Sequence, residues 1–114
     1  MTTIYKICSR TEWRAAEAQG AFPGSAVDLR DGFIHFSAAA QLAETAAKHF
    51  AGQKDLVLIA VDAEALGAAL KWERSRNDEL FPHLYGTLPL AAVRWARPLP
   101  DEVGGKRQIP ELAP

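Results

Sequence analysis

Two short segments carry the side chains best suited to chemistry. Asp31-Gly32-Phe33-Ile34-His35-Phe36-Ser37 sets a histidine two residues before a serine, and Phe81-Pro82-His83-Leu84-Tyr85-Gly86 sets a histidine two before a tyrosine. In a strand the side chains alternate between faces. The first segment then puts Phe33, His35 and Ser37 on one face, and the second puts His83 and Tyr85 on one face. Imidazole titrates near neutral pH, so His35 and His83 are candidate proton donors or electrostatic stabilisers. The two strands read as two walls of one polar site. His35 also interrupts an otherwise apolar strand, where a polar group must find a partner or face a cavity. Two readings stand: a histidine hydrogen-bonded in the core, and one facing a cleft.

Glu73, Arg74 and Arg76 come just before the second segment. Guanidinium forms paired hydrogen bonds to phosphate or carboxylate, so Arg74 and Arg76 suit an anionic ligand. A solvated charge cluster is the alternative. Trp72 and Phe81 flank these charges and offer a stacking wall, Trp72 being equally suited to the core. Ser37 reads as a helix N-cap rather than a nucleophile, for no Gly-x-Ser-x-Gly elbow surrounds it. His49 falls near a helix end, where a positive charge complements the helix dipole. The three histidines lack the short spacing of a metal site, and none is expected. Gly104-Gly105 precedes no helix and makes no phosphate loop.

Alternation and capping signals predict the elements that hold these residues. Ile4 to Cys8 reads as a first strand. Ser9-Arg10-Thr11-Glu12 is a capping box opening a helix with Trp13 and Ala16 on its apolar side and Gly20 as its stop. Ala21 to Arg30, with Pro23-Gly24, reads as a loop. A second helix is expected from Ala38 to about Phe50, capped by Ser37. Leu56 to Val61 is apolar without alternation, the pattern of a strand covered on both faces. Ala69 to Arg74 reads as a strand with Leu70, Trp72 and Arg74 on one face and Lys71 and Glu73 on the other. Ser75 to Pro82 reads as a loop, His83 to Gly86 as a strand, Leu88-Pro89-Leu90 as a turn, and Val93 to Pro98 as the last strand. This order predicts an α+β domain with an antiparallel-rich, curved or split sheet and two main helices, since no helices separate the later strands.

The 114 residues suffice for a single domain, 1–114, with 100–114 a Pro- and Gly-containing extended tail lying across it. Apolar residues make up 48% and charged residues 24%, a globular rather than disordered mixture. A net charge of -1 gives no electrostatic reason to expect nucleic acid as a partner. No targeting segment or membrane-spanning run is visible, and the single cysteine, Cys8, forms no internal disulfide. A cytoplasmic protein is expected, with Cys8 as a buried structural thiol.

Ile4-Tyr5-Lys6-Ile7, Trp13, Asp31 to Ser37, Gln41, His49-Phe50-Ala51-Gly52, Asp55 to Leu58, Trp72-Glu73 and Phe81 to Gly86 together resemble the bacterial and plant family called domain of unknown function 952. The resemblance spans about Ile4 to Leu99. It implies a fold similar to the ADP-ribosyltransferases, which split NAD, and to the RNA 2'-phosphotransferases. On that resemblance Lys6 stands where those enzymes carry a histidine on the first strand. His35 stands near their nicotinamide-stacking tyrosine, and His83 lies on the strand of their catalytic glutamate, for which Glu73 is the neighbouring substitute. The implied site has His35, His83 and Glu73 as catalytic candidates and Lys6, Ser37, Trp72, Arg74, Arg76 and Tyr85 as ligand-binding candidates. The implied ligand is NAD, ADP-ribose or another phosphorylated, nucleotide-like molecule, handled by a divergent or degenerate ADP-ribosyl or phosphoryl transferase. A non-catalytic binding module of the same fold is the alternative. A third reading has His35 and His83 bonding only each other.

Overall fold

The chain divides its apolar residues between the two faces of a central antiparallel sheet. The computed structural model describes residues 2–112, with Arg76 described by its backbone alone. The central sheet has the order β1-β4-β8, from β1 (Thr3–Ser9), β4 (Leu56–Asp62) and β8 (Val93–Leu99). β4 lies between two neighbours, and Leu58, Ile59, Ala60 and Val61 are wholly buried. Its unbroken apolar run follows from that cover on both faces. Leu58, Ile59 and Val61 each contribute about 1.5–3 kcal/mol of burial.

Alternation along β1 and β4 sorts the two cores. Ile4, Cys8, Val57, Ile59 and Val61 face one side with Trp13, Phe22, Ile34 and Leu84. Tyr5, Ile7, Leu56 and Leu58 face the other with Leu42, Ala46 and Leu99. Helix α1 (Arg10–Gln19) starts at the expected capping box, with Ser9 Oγ accepting from the Glu12 amide, and ends at Gly20 with φ 85°. Helix α3 (Leu42–His49) follows a 3-10 turn, Ala39–Gln41, and covers the second core.

Ala21 to Arg30, read as a loop, instead holds strand β2 (Ala21–Phe22) and helix α2 (Ala26–Asp31). α2 opens on a second capping box, Ser25 with Asp28, and closes at Gly32 in the left-handed conformation. The chain therefore has a third helix beyond the two expected. β2 pairs with β7 (Leu88–Pro89), which the sequence suggested was only a turn. β3 (Ile34–His35), β6 (Leu80–Leu84) and β5 (Leu70–Arg74) form a third antiparallel sheet of order β3-β6-β5. β6 starts at Leu80, so the preceding loop is shorter than the expected Ser75 to Pro82. The result is a mixed α and β structure with split antiparallel sheets.

Ser37 does not cap a helix. Its backbone bridges Tyr5, its hydroxyl lies 2.9 Å from the Thr45 hydroxyl, and the turn that begins α3 is closed by Gln41, whose side chain accepts from the Ala38 amide. The segment after β8 lies across the second core, where Ile109 and Leu112 pack. Arg107 fastens it by donating to the carbonyls of Phe50, Gln53 and Pro100. Among the described residues, no helix is long and apolar enough to cross a membrane.

Candidate functional site

β3 and β6 bring the two histidine segments into direct register, with His35 opposite His83. Their rings stand edge to face, with centroids 5.6 Å apart. They bond carboxylates rather than each other. His35 Nδ1 lies 2.6 Å from Asp28 Oδ1 and its Nε2 lies 3.0 Å from Asp31 Oδ2. His83 Nδ1 lies 2.8 Å from Glu73 Oε1, and the Tyr85 hydroxyl donates to the same oxygen at 2.7 Å. A carboxylate only accepts, so His83 Nδ1 carries the hydrogen, and in the neutral ring Nε2 is the acceptor. Both bonds of His35 form together only when both of its nitrogens carry hydrogen.

Asp28 organises the inner half of this cluster, and the sequence reading did not single it out. Lys6, buried on β1, reaches it from below, Nζ standing 2.8 Å from Oδ2 and 3.0 Å from Oδ1. The amides of Ser25 and His35 donate to it at 2.9 and 3.1 Å. Burial pushes the Asp28 carboxyl upward, but the His35 bond and the Lys6 charge outweigh it and hold the group well below the ordinary carboxylate range. A lysine in an apolar strand demands such a partner, and that was the available signal. Asp31, beside Arg30, is also held below its usual range, mainly by the Arg30 hydrogen bond. Glu73 is lowered first by Tyr85 and then by His83, and Tyr85 is raised in turn by Glu73.

Phe33 supplies the ring surface that Trp72 and Phe81 were expected to offer. It stacks on His83 at 4.1 Å and contacts His35 and Tyr85 at 4.6 and 5.3 Å. Its place on the His35 face followed from strand alternation. Lys71 lies over the Tyr85 ring at 5.3 Å. The structure thus gathers Lys6, His35, Glu73, His83 and Tyr85, adding Asp28, Asp31, Phe33 and Lys71.

Other candidates stand apart. Trp72 and Arg74 occupy the opposite face of β5 from Glu73, and Arg74 pairs with Asp78 at 2.7 Å. Ser37 is buried against Thr45. The Arg76 side chain lies outside the described residues. No group of three or more His, Cys, Asp or Glu that could hold a metal occurs among the described residues. Two surface clefts, of about 310 and 560 Å³, open elsewhere, one beside Arg10 and Lys54 and the other along Pro100 to Ile109.

The loop under Asp28 is sterically committed. Gly24 has φ 118°, and a Cβ there would stand 2.9 Å from the Asp28 Cβ. Gly24→Ala is expected to lower stability by about 1–3 kcal/mol in denaturant unfolding, because strain and collision coincide.

No curated protein matches the chain. The chain is similar to CC0527 from Caulobacter crescentus, whose X-ray crystal structure is 58% identical over 94% of each chain, with a TM-score of 0.90. The solution NMR structure of CC0527 is 58% identical over 95% of this chain and 93% of that one, with a TM-score of 0.83. Residues 7–96 match the family described as a protein of unknown function, DUF952, and the chain belongs to that family.

Proposed function

We propose that the histidine cluster is the functional site, on a scaffold of ADP-ribosyltransferase-like fold. It takes a small phosphorylated, nucleotide-like ligand: NAD, ADP-ribose or a 2'-phosphorylated nucleotide. One observation carries this reading: two imidazoles side by side on β3 and β6, each with Nδ1 against its own carboxylate. A carboxylate behind Nδ1 fixes the tautomer and stabilises the imidazolium, the arrangement suited to moving a proton or steadying developing negative charge. In this site His83, oriented by Glu73, exchanges the proton, and His35 supplies positive charge. Phe33 and Tyr85 offer ring faces to a planar group, and the exposed Lys71 ammonium takes the anionic end that Arg74 is turned away from.

The test is direct binding of NAD, ADP-ribose and a 2'-phosphorylated nucleotide, by calorimetry, to the wild type and to His35→Ala and His83→Ala. Wild type is expected to bind at least one of them, with affinity about tenfold or more weaker in each folded variant. No binding by wild type to any of the three overturns the reading.

A second reading, a binding module without turnover, is favoured by His35 itself. A ring held at both nitrogens by Asp28 and Asp31 moves no proton without breaking a bond. Product formed from any bound nucleotide would exclude this reading; binding without product would support it.

A further inference from the structure

We propose that the chain pairs with a second copy of itself along the free edge of β5, so that each histidine cluster receives a lysine from the other copy. Among the described residues, β5 ends its sheet, with only β6 beside it. Hydrogen-bond phase decides which of its groups point outward. Tyr85 N donates to Ala69 O at 2.8 Å, and Ser75 N donates to Glu79 O at 2.9 Å. The register between them pairs Lys71 with His83 and Glu73 with Phe81. Bonded and non-bonded pairs alternate along an antiparallel ladder. Ala69, Lys71, Glu73 and Ser75 therefore turn their amides and carbonyls toward β6, and Leu70, Trp72 and Arg74 turn theirs away, the Leu70 amide donating to the Gly67 carbonyl. Trp72 faces Pro82, which has no N–H to give, as this phase requires.

An edge of outward amides is a template for another strand. Lys71, Trp72 and Arg74 are exposed along it, Trp72 by 42%. The identity of the incoming strand follows from charge. Antiparallel pairing about a two-fold axis through Trp72 sets Trp72 against the partner's Trp72, and Leu70 against the partner's Arg74. The two Trp72 residues then exchange both of their bonds and the Arg74 amide meets the partner's Leu70 carbonyl, while the Leu70 amide keeps its bond to the Gly67 carbonyl. The same register sets Lys71 against the partner's Glu73 and Glu73 against the partner's Lys71, in the closely spaced non-bonded positions where side chains meet. Moving the axis by one residue would oppose lysine to lysine or glutamate to glutamate. Charge on an edge strand usually discourages pairing; here it selects one register and one partner, a second copy of this chain.

The junction borders the histidine cluster. Lys71 and Glu73 share a sheet face with His83, so the partner's Lys71 arrives beside the carboxylate that His83 and Tyr85 already hold. Two clusters then lie on one side of a continuous sheet.

Sedimentation of the full chain from micromolar to millimolar concentration tests the pairing independently of any ligand. Wild type is expected to associate reversibly to a dimer. Lys71→Glu, which puts like charges opposite each other twice, is expected to weaken association about tenfold or more. Trp72→Pro, which removes a central outward N–H, is expected to leave a folded monomer. A wild type that is monomeric throughout, or a dimer unaffected by both substitutions, overturns the proposal.

Discussion

Asp28→Ala is expected to cost about 3–5 kcal/mol of folding stability, the loss typical of stranding a buried charge. Domains of this size have about 5–15 kcal/mol in all, so the variant should be close to unfolding at ambient temperature. Asp28 is 2% exposed and Lys6 is 6% exposed. The carboxylate answers the Lys6 ammonium, the amides of Ser25 and His35, and the His35 ring. Alanine leaves all of these donors short at once. Lys6→Met should cost less, because Asp28 keeps its donors from Ser25 and His35 while methionine fills the apolar space. Denaturant unfolding of both variants with unchanged m-values checks the ordering. A loss below about 1 kcal/mol in Asp28→Ala would show that the cluster does not hold α2, β1 and β3 together.

The same residue shows why part of the site was hidden in the sequence. α1 was legible because its capping box is followed by an apolar side that faces inward. α2 has a capping box too, but its polarity is inverted. Val27 and Leu29 are 49% and 66% exposed, and its buried residue is the carboxylate of Asp28. A periodicity search looks for apolar residues inside and finds none here. β2 and β7 are two-residue strands whose pairing joins segments far apart in sequence, which no local pattern encodes. β4 was legible because complete burial leaves its mark on every residue. For the candidate site, alternation correctly separated Glu73 from Trp72 and Arg74. Which of the two faces meets His83 depends on the β5–β6 register, a property of tertiary pairing rather than of either strand. The two histidine segments were readable because each carries its polar residues at the strand interval; Asp28 reaches His35 only through a helix that the local pattern did not announce.

Alkaline pH is expected to destabilise the protein through Cys8, with an effect second only to the loss of Asp28. Cys8 lies in β1 at 1% exposure, and burial, helped by Glu12, pushes its thiol up to about 12. The unfolded thiol ionises near 9. Because the folded value is the higher one, the favourable difference is fully present below the unfolded value. It is lost as pH rises from there toward about 12. Across that window each pH unit removes about 1.4 kcal/mol, so the accumulated loss reaches on the order of 4 kcal/mol. Unfolding free energies measured from pH 7 upward should fall along that slope in wild type. In Cys8→Ala the baseline is lower, because a small cavity opens beside Ile4 and Val57, but the Cys8 share of the slope disappears. The slope, not the baseline, is the diagnostic: a cavity costs the same at every pH, whereas a thiol that cannot ionise inside the core costs more with each unit. Parallel profiles for the two proteins would mean that Cys8 ionises in place, and that this part of the first core admits charge.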